Sequence, residues 1–493
     1  MLIKKDPDII NSFLEDYSNL KGGFCNEVIF PETEGELSAV LKDSSIKKIP
    51  ITISGAGTGV AGGRIPFGGR VISLAKLNRI KHIKPLADNQ GQALVEAGVV
   101  LADFMDLAEK EGFFYPPGPT EKASFIGGNV ATSASGARSF KHGTTRDFVL
   151  GIRVVLSDGE VLQLTRGQYI ANRGKLKLVT LSGKNLDLLL PEYIMPKVKN
   201  ASGYFIKDDV DAVDIFIGQE GTLGIISEVR LKLLKKLEEI LDCYAFFNSK
   251  NDALDFVQNA KVATLDHSHP INALSLEYLD KRALELLRKK HKNIPLDAKA
   301  AVYFEQGHTS RQESGIVDSW AALIVKCHGS LDNTWFAQTP SEREKLYEIR
   351  HDLPDMVNEY LKKNNFSKIG TDIAVPEISF NTMLDYYDST LIEAGLDYLI
   401  FGHIGESHMH VNILPRDQAE YKMAIDAYET LVKKAIELGG TPSAEHGIGK
   451  TKHKYLEMLY EKKGVLEMVR LKKQLDSSLI LCLDNLFPKE LLA

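Results

Sequence analysis

Ile51-Thr-Ile-Ser-Gly-Ala-Gly-Thr-Gly-Val-Ala-Gly-Gly-Arg64 runs out of a β-strand into a loop crowded with glycine. Glycine lets backbone N–H groups converge on an anion, because no Cβ blocks the approach. Gly57-x-Gly59-x-x-Gly62 matches the Rossmann fingerprint literally, but its surroundings contradict it. A Rossmann loop opens a helix, whereas Ile65-Pro-Phe-Gly-Gly leads into another strand at residues 70–74. Nor does an Asp or Glu stand about 20 residues on to hold a ribose. A structural turn accounts for two glycines but not for the five between Gly55 and Gly63, so the loop reads as a phosphate cradle.

Working outward, Tyr115 to Asp147 holds almost no bulky apolar residue between Gly127 and Gly136. A wall of small residues suits a large flat ligand against the backbone, with Asn129, Thr132, Ser133 and Ser135 as hydrogen-bonding groups. As structure alone it would be an uncommonly long loop for a compact domain. A third segment, Phe216-Ile-Gly-Gln-Glu-Gly-Thr-Leu-Gly-Ile-Ile-Ser-Glu228, repeats the style.

Around these segments, short β-rich runs are expected at 49–53, 70–74, 93–99, 152–156, 215–217 and 225–233. One amphipathic helix carries Leu101, Phe104, Met105 and Ala108 on a single face and ends at Gly112. Residues 165–210 read as an irregular polar excursion. Residues 232–241 read as a link to a second lobe of longer strands (243–247, 300–304, 398–401) and helices (279–290, 342–362). The chain is mostly helical from 419 onward.

The bulk properties bound the rest. With 44% hydrophobic and 26% charged residues over 493, the chain is globular and long enough for about three lobes. A net charge of -6 without a basic block argues against a nucleic-acid partner. Cys25, Cys243, Cys327 and Cys482 are too scattered for a zinc knuckle or an iron–sulfur set and read as reduced, buried residues. The opening residues lack the apolar core of a secretory signal, and no apolar run reaches the roughly 20 residues of a membrane span. The expectation is a soluble, cytoplasmic protein without a transmembrane segment. Oligomeric state stays open, a homodimer included.

The densest chemistry lies in Phe401-Gly-His-Ile-Gly-Glu-Ser-His-Met-His-Val-Asn-Ile-Leu414. Alternation along a strand at 407–414 puts His408, His410 and Asn412 on one face. His403 precedes a turn that can bring it toward His410. A later loop presents Glu445 and His446 side by side. Two imidazoles and a carboxylate suit Zn, Mn or Fe with open positions. A lone histidine is more often a satisfied polar group than a ligand, and spacing does not show convergence, so both readings stand.

The three glycine-rich segments, in this order, resemble the FAD-binding half of vanillyl-alcohol oxidase (PCMH-type) flavoproteins. The closest likeness is to their branch of D-lactate, glycolate and D-2-hydroxyglutarate dehydrogenases, over residues 30–235 and again over 400–455. The resemblance implies an α+β fold with a PCMH-type FAD-binding domain of two α+β subdomains at 1–235. An α+β substrate (cap) domain would occupy 236–400, and a C-terminal segment with helices at 401–493 would return to the FAD domain with the histidine cluster.

By position, the resemblance assigns FAD to Ser54, Gly55, Ala56, Gly57, Thr58 and Gly59, then to Gly127, Gly128, Asn129, Thr132, Ser135 and Gly143. Glu220, Gly221 and Ile225 complete that set. No His or Cys lies between Ser54 and Gly63, so the FAD is expected to be non-covalent. The D-2-hydroxyglutarate branch binds a divalent metal through positions matching His403, His410 and Glu445, and places a catalytic base at His446. An arginine that clamps the substrate carboxylate matches Arg350, although an exposed helical arginine is the plainer alternative. Asn412, Lys199 and Asn200 match substrate-pocket positions, and Lys368 is offset from a second cation.

The chain departs from the pattern at several places. Glu406, Ser407 and His408 replace Asp, Gly and Asn, Gly118 replaces an acidic residue, and Ser478–Asn485 replaces an Asn-Pro-Gly-Lys turn. His408 thereby either adds a candidate ligand or reshapes the pocket for another substrate. The function implied is oxidation of a small D-2-hydroxy acid to a 2-oxo acid, with electrons passing to oxygen, a quinone or a carrier protein. The rivals are an oxidase of another alcohol or a sugar on the same fold, and a metal-dependent hydrolase or metal-binding protein built on residues 403–446.

Overall fold

The computed structural model describes residues 1–266, 268–309 and 311–493. Two compact units emerge. The first comprises Met1–Gly136, Thr144–Lys235 and Pro442–Ala493, and the second Ala137–Gly143 and Lys236–Thr441.

The first unit holds two main sheets and a separate two-stranded hairpin. In the smaller, strands Glu27–Phe30, Arg70–Ser73 and Ile51–Ser54 run parallel in that spatial order, and Leu2–Lys4 pairs antiparallel at the edge. Helix Glu34–Lys47 starts where Thr33 Oγ1 accepts from the Glu36 N–H at 3.2 Å. It buries Leu37, Val40 and Leu41 with Ile29, Ile51 and Ile72. The larger sheet is antiparallel and is built around the long strand Ile225–Lys235, flanked by Gly91–Glu96 and Val149–Val155. Alternation along that strand sends Val229, Leu231 and Leu233 into the core. Helix Leu101–Lys110 buries Leu101, Phe104 and Ala108 and stops before Gly112, whose φ of 81° lies in the left-handed region.

The second unit is one eight-stranded sheet. Its main order is Trp335–Ala337, Glu239–Phe247, Ala300–His308, Ser275–Asp280, Tyr398–Gly402, His408–Ile413 and Ile369–Gly370, with Ile373–Ala374 also paired to His408–Ile413. Adjacent residues on its strands serve opposite faces. Tyr303 packs with Leu346, Ile349 and Leu353 of helix Pro340–Lys363. Phe304 stacks on Trp320, ring centroids 3.9 Å apart. The long helix begins at a capping box made by Thr339 and Glu342.

Several expectations are corrected. The apolar run at 215–217 is the end of a helix, Ala212–Phe216, because Asp211 Oδ1 accepts from the Val213 N–H at 2.8 Å and caps it. A five-residue buried run has no periodicity that separates helix from strand. The excursion at 165–210 contains a hairpin, Lys175–Val179 with Asn185–Leu189. Residues 401–441 do not return to the first unit, because Tyr398–Gly402 and His408–Ile413 are strands of the second unit's sheet; only Pro442 onward rejoins the first. Ala137–Gly143, Gly143 included, belongs to the second unit. Cys25 is half-buried rather than buried, and the other three cysteines are buried. No helix among the described residues is long and apolar enough to cross a membrane.

The unusual tail has a structural role. Residues 480–482 run beside strand Ile51–Ser54, the Ile51 N–H donating to the Ile480 carbonyl and the Cys482 N–H to the Ile51 carbonyl, both at 2.7 Å. That turn is held by buried Lys472, whose Nζ donates to Asp476 Oδ2 (2.8 Å) and to the carbonyls of Thr222 (2.9 Å) and Leu481 (2.8 Å). Removing one partner of a buried pair strands the other. K472M should therefore cost about 3–5 kcal/mol in a urea titration, and unchanged stability would show that the ammonium does not hold the tail.

Candidate functional site

In the first unit the glycine loop leaves strand Ile51–Ser54 directly. Ser54 is buried, and Gly57, at φ 87°, has the Arg64 guanidinium 2.0 Å from where a Cβ would stand. Gly127, in the helix Ile126–Thr132, lies so close to Ala97 that a Cβ would meet its methyl at 2.5 Å. Around it, Ser124 Oγ, Asn129 Nδ2 and Ser135 Oγ are buried and have no hydrogen-bond partner among the described residues. Buried polar atoms are rarely left unpaired, and three in one stretch call for a polar ligand. A hydroxyl and an amide so placed fit the ring-edge and phosphate groups of FAD. Ser124 was not singled out from the sequence, although it lies inside the quoted stretch.

Glu220 clamps a neighbouring loop. At φ 54° it turns its carboxylate into the protein, where Oε1 accepts from the Ile448 N–H and Oε2 from the Gly449 N–H, each at 2.7 Å. Burial pushes its carboxyl up to about 7, against the pull of those two amides and of Lys452 and Lys450. Next to it, Gly221 at φ 77° leaves no room for a side chain beside Cys482 Sγ. Ile225 is fully buried.

The 199–204 segment is tied to the 442–447 loop. The Ala201 N–H (2.9 Å) and Ser202 Oγ (3.1 Å) both donate to the Ser443 carbonyl. Lys199 Nζ lies 2.9 Å from Glu445 Oε2, both side chains buried, and His446 Nε2 lies 3.8 Å from Glu445 Oε1. Asn200 Nδ2 donates to the Tyr460 hydroxyl at 3.2 Å. A cavity of about 240 Å³ opens here, lined among others by Ser133, Thr144, Arg146, Lys199 and Asn200.

In the second unit the functional side chains grow from one sheet face. Strand register sets Asp242 beside Glu305 and Glu305 beside Ser275, and in the next row Tyr244 beside Tyr303 and Tyr303 beside Glu277. Arg138 reaches this face and grips Glu305 through Nε (2.9 Å) and Nη2 (2.7 Å). Arg350, from the long helix, donates to Glu277 Oε2 through Nε (3.1 Å) and Nη2 (2.6 Å). His403 Nδ1 donates to the other oxygen of Glu277 at 2.5 Å. Burial alone would raise the carboxyl of Glu277; Arg350 and His403 outweigh it and hold it at about 2. One carboxylate thus positions two of the residues expected to act.

Beyond His403 the strand His408–Ile413 carries the rest. His408 Nε2 donates to Asp372 Oδ1 at 3.1 Å, and both side chains are completely buried. His410 Nδ1 donates to the Thr371 carbonyl at 3.2 Å. The rings of His403, His408 and His410 have centroids 4.6–5.4 Å apart. Asn412 is buried, and neither its Oδ1 nor its Nδ2 has a partner among the described residues. Ser407 sits at φ 54°, in the left-handed region that favours glycine. Of the metal ligands implied by resemblance, His403 and His410 belong to the second unit and Glu445 to the first.

Two family models cover most of the chain: an FAD binding domain at residues 26–165 and the C-terminal domain of FAD linked oxidases at 243–482. The glycolate oxidase subunit GlcD of Bacillus subtilis is 30% identical over 468 residues, covering 94% of this chain and 89% of that protein. The chain belongs to the FAD-linked oxidases. A D-lactate dehydrogenase of Anaerostipes hadrus is 29% identical over 476 residues (94% and 89% covered). A D-2-hydroxyglutarate dehydrogenase of Xanthomonas citri is 26% identical over 509 (98% and 94%). The fold is shared with the 4-ethylphenol oxidase of Gulosibacter chungangensis, at a TM-score of 0.71 and 15% identity over 99% of this chain and 95% of that one.

This FAD-linked oxidase is therefore a flavoenzyme, and the reading of the histidines as a hydrolase centre falls away. The Glu220 clamp gives a direct check. E220Q puts a donor against one of two buried N–H groups, which costs about 1–3 kcal/mol. The expected result is a lower melting temperature and less FAD retained through gel filtration. Wild-type values for both would show that the clamp is dispensable.

Proposed function

We propose that this enzyme oxidises a D-2-hydroxy acid to the corresponding 2-oxo acid. The relatives whose names carry D-lactate, glycolate and D-2-hydroxyglutarate support the substrate class. The observation that carries the reading is the buried chain Arg350–Glu277–His403. FAD, when bound, supplies the hydride acceptor that turns a CH–OH carbon into a carbonyl.

The protein's own part is positioning and proton handling. Glu277 occupies the Nε–Nη2 edge of Arg350, and Nη1 has no hydrogen bond among the described residues. The outer end of the guanidinium takes the substrate carboxylate in a charge-assisted, two-point grip. Asn412 adds an amide with both polar atoms still to be paired. His446 takes the hydroxyl proton on an imidazole nitrogen, and Glu445 beside it stabilises the imidazolium. Lys199 and Asn200 serve the substrate from the cavity they line.

The resemblance further assigns a divalent ion, Zn, Mn or Fe, to His403, His410 and Glu445, where it would lower the hydroxyl pKa. Each of the two histidines donates its Nδ1–H to an oxygen acceptor, the arrangement that orients an imidazole toward a metal.

H446A should lower the turnover number on the order of 10²–10⁴-fold while FAD remains bound. R350K, which cannot make the two-point grip, should chiefly raise KM. Near-normal rates in H446A would remove the base assignment, and an unchanged KM in R350K would remove the carboxylate clamp.

A further inference from the structure

We infer that His408 is a third imidazole ligand, so that His403, His408 and His410 together hold one divalent transition-metal ion within the second unit. The inference extends the metal reading above, which counts only two of these rings.

Three observations converge. One ring nitrogen from each of the three histidines lies within 4.8 Å of those of the other two. Each ring is also held from behind by an acceptor: Glu277 for His403, Asp372 for His408, and the Thr371 carbonyl for His410. Carboxylate and carbonyl oxygens only accept, so the nitrogen facing each of them carries the proton. The opposite nitrogens, Nε2 of His403 and His410 and Nδ1 of His408, are then the metal-side atoms. An imidazole whose other N–H is donated to a carboxylate or carbonyl is the usual state of a metal-bound histidine.

The third observation is burial. His408 and Asp372 are both fully buried. An imidazole and a carboxylate withdrawn from water together are costly unless each finds full use. Register supports the same face, since His408 and His410 are two residues apart on one strand. Three nitrogen donors with remaining positions open suit Zn²⁺ or Co²⁺ and disfavour Mn²⁺ and Mg²⁺, which prefer oxygen.

The test uses FAD-loaded protein stripped with chelator and titrated calorimetrically with Zn²⁺, then the zinc X-ray absorption spectrum of the wild-type complex. The expected spectrum fits three imidazoles, falling to two in H408N. Affinity should fall on the order of 10-fold or more in H408N, and on the order of 10–100-fold in D372A, which keeps the ring but removes its acceptor. Two imidazoles in the wild type, or equal zinc affinity in wild type and H408N, overturns the inference and leaves the two-imidazole reading intact. Protein that takes up no zinc overturns both. The wild-type spectrum decides even if H408N fails to fold.

Discussion

A carboxylate buried in the middle of a sheet has to be matched by donors, and in this enzyme Glu277 is matched by Arg350 on one oxygen and His403 on the other. Neither partner can leave without stranding a buried charge. That constraint fixes the helix bearing Arg350 against strand Ser275–Asp280, and it fixes the ring of the first histidine in the cluster. One edge of the guanidinium is committed to Glu277, and under the proposed function the other end takes the substrate carboxylate. Arg350 and His403 together also hold the Glu277 carboxyl well below the usual carboxylate range.

The same principle recurs at each place where the chain must hold a loop still. Glu220 ties its loop to Ile448 and Gly449, Lys472 closes the tail beside strand Ile51–Ser54, and Arg138 pins residues 137–143 to Glu305. At Ser124, Asn129 and Ser135 in the first unit and Asn412 in the second, buried polar atoms have no partner among the described residues, and under the proposed function these face ligands.

The sequence made the local features legible. Glycine density marked the loops that the proposed function gives to the cofactor, and strand alternation placed His408, His410 and Asn412 on one strand, because both signals lie within a dozen residues. Glu277 was missed because its meaning depends on pairing between strands far apart in the chain. A glutamate within Leu276-Glu-Tyr-Leu was the one available signal, since a charge in such an apolar strand needs a partner. The assignment of residues 401–441 to the first unit failed for the same reason, whereas the strand expected at 215–217 failed locally, where a single Asp cap outweighs β-prone residues. Asp372 looked unremarkable until the fold set it behind His408.

The most direct measurement is the visible spectrum of the purified yellow protein, recorded anaerobically before and after adding D-lactate, D-2-hydroxyglutarate and their L-isomers. Oxidation of a D-2-hydroxy acid predicts bleaching of the flavin band by at least one D-acid and by neither L-isomer. Bleaching by an L-isomer, or by none of the four, would contradict the assignment of substrate class while leaving the flavin fold in place.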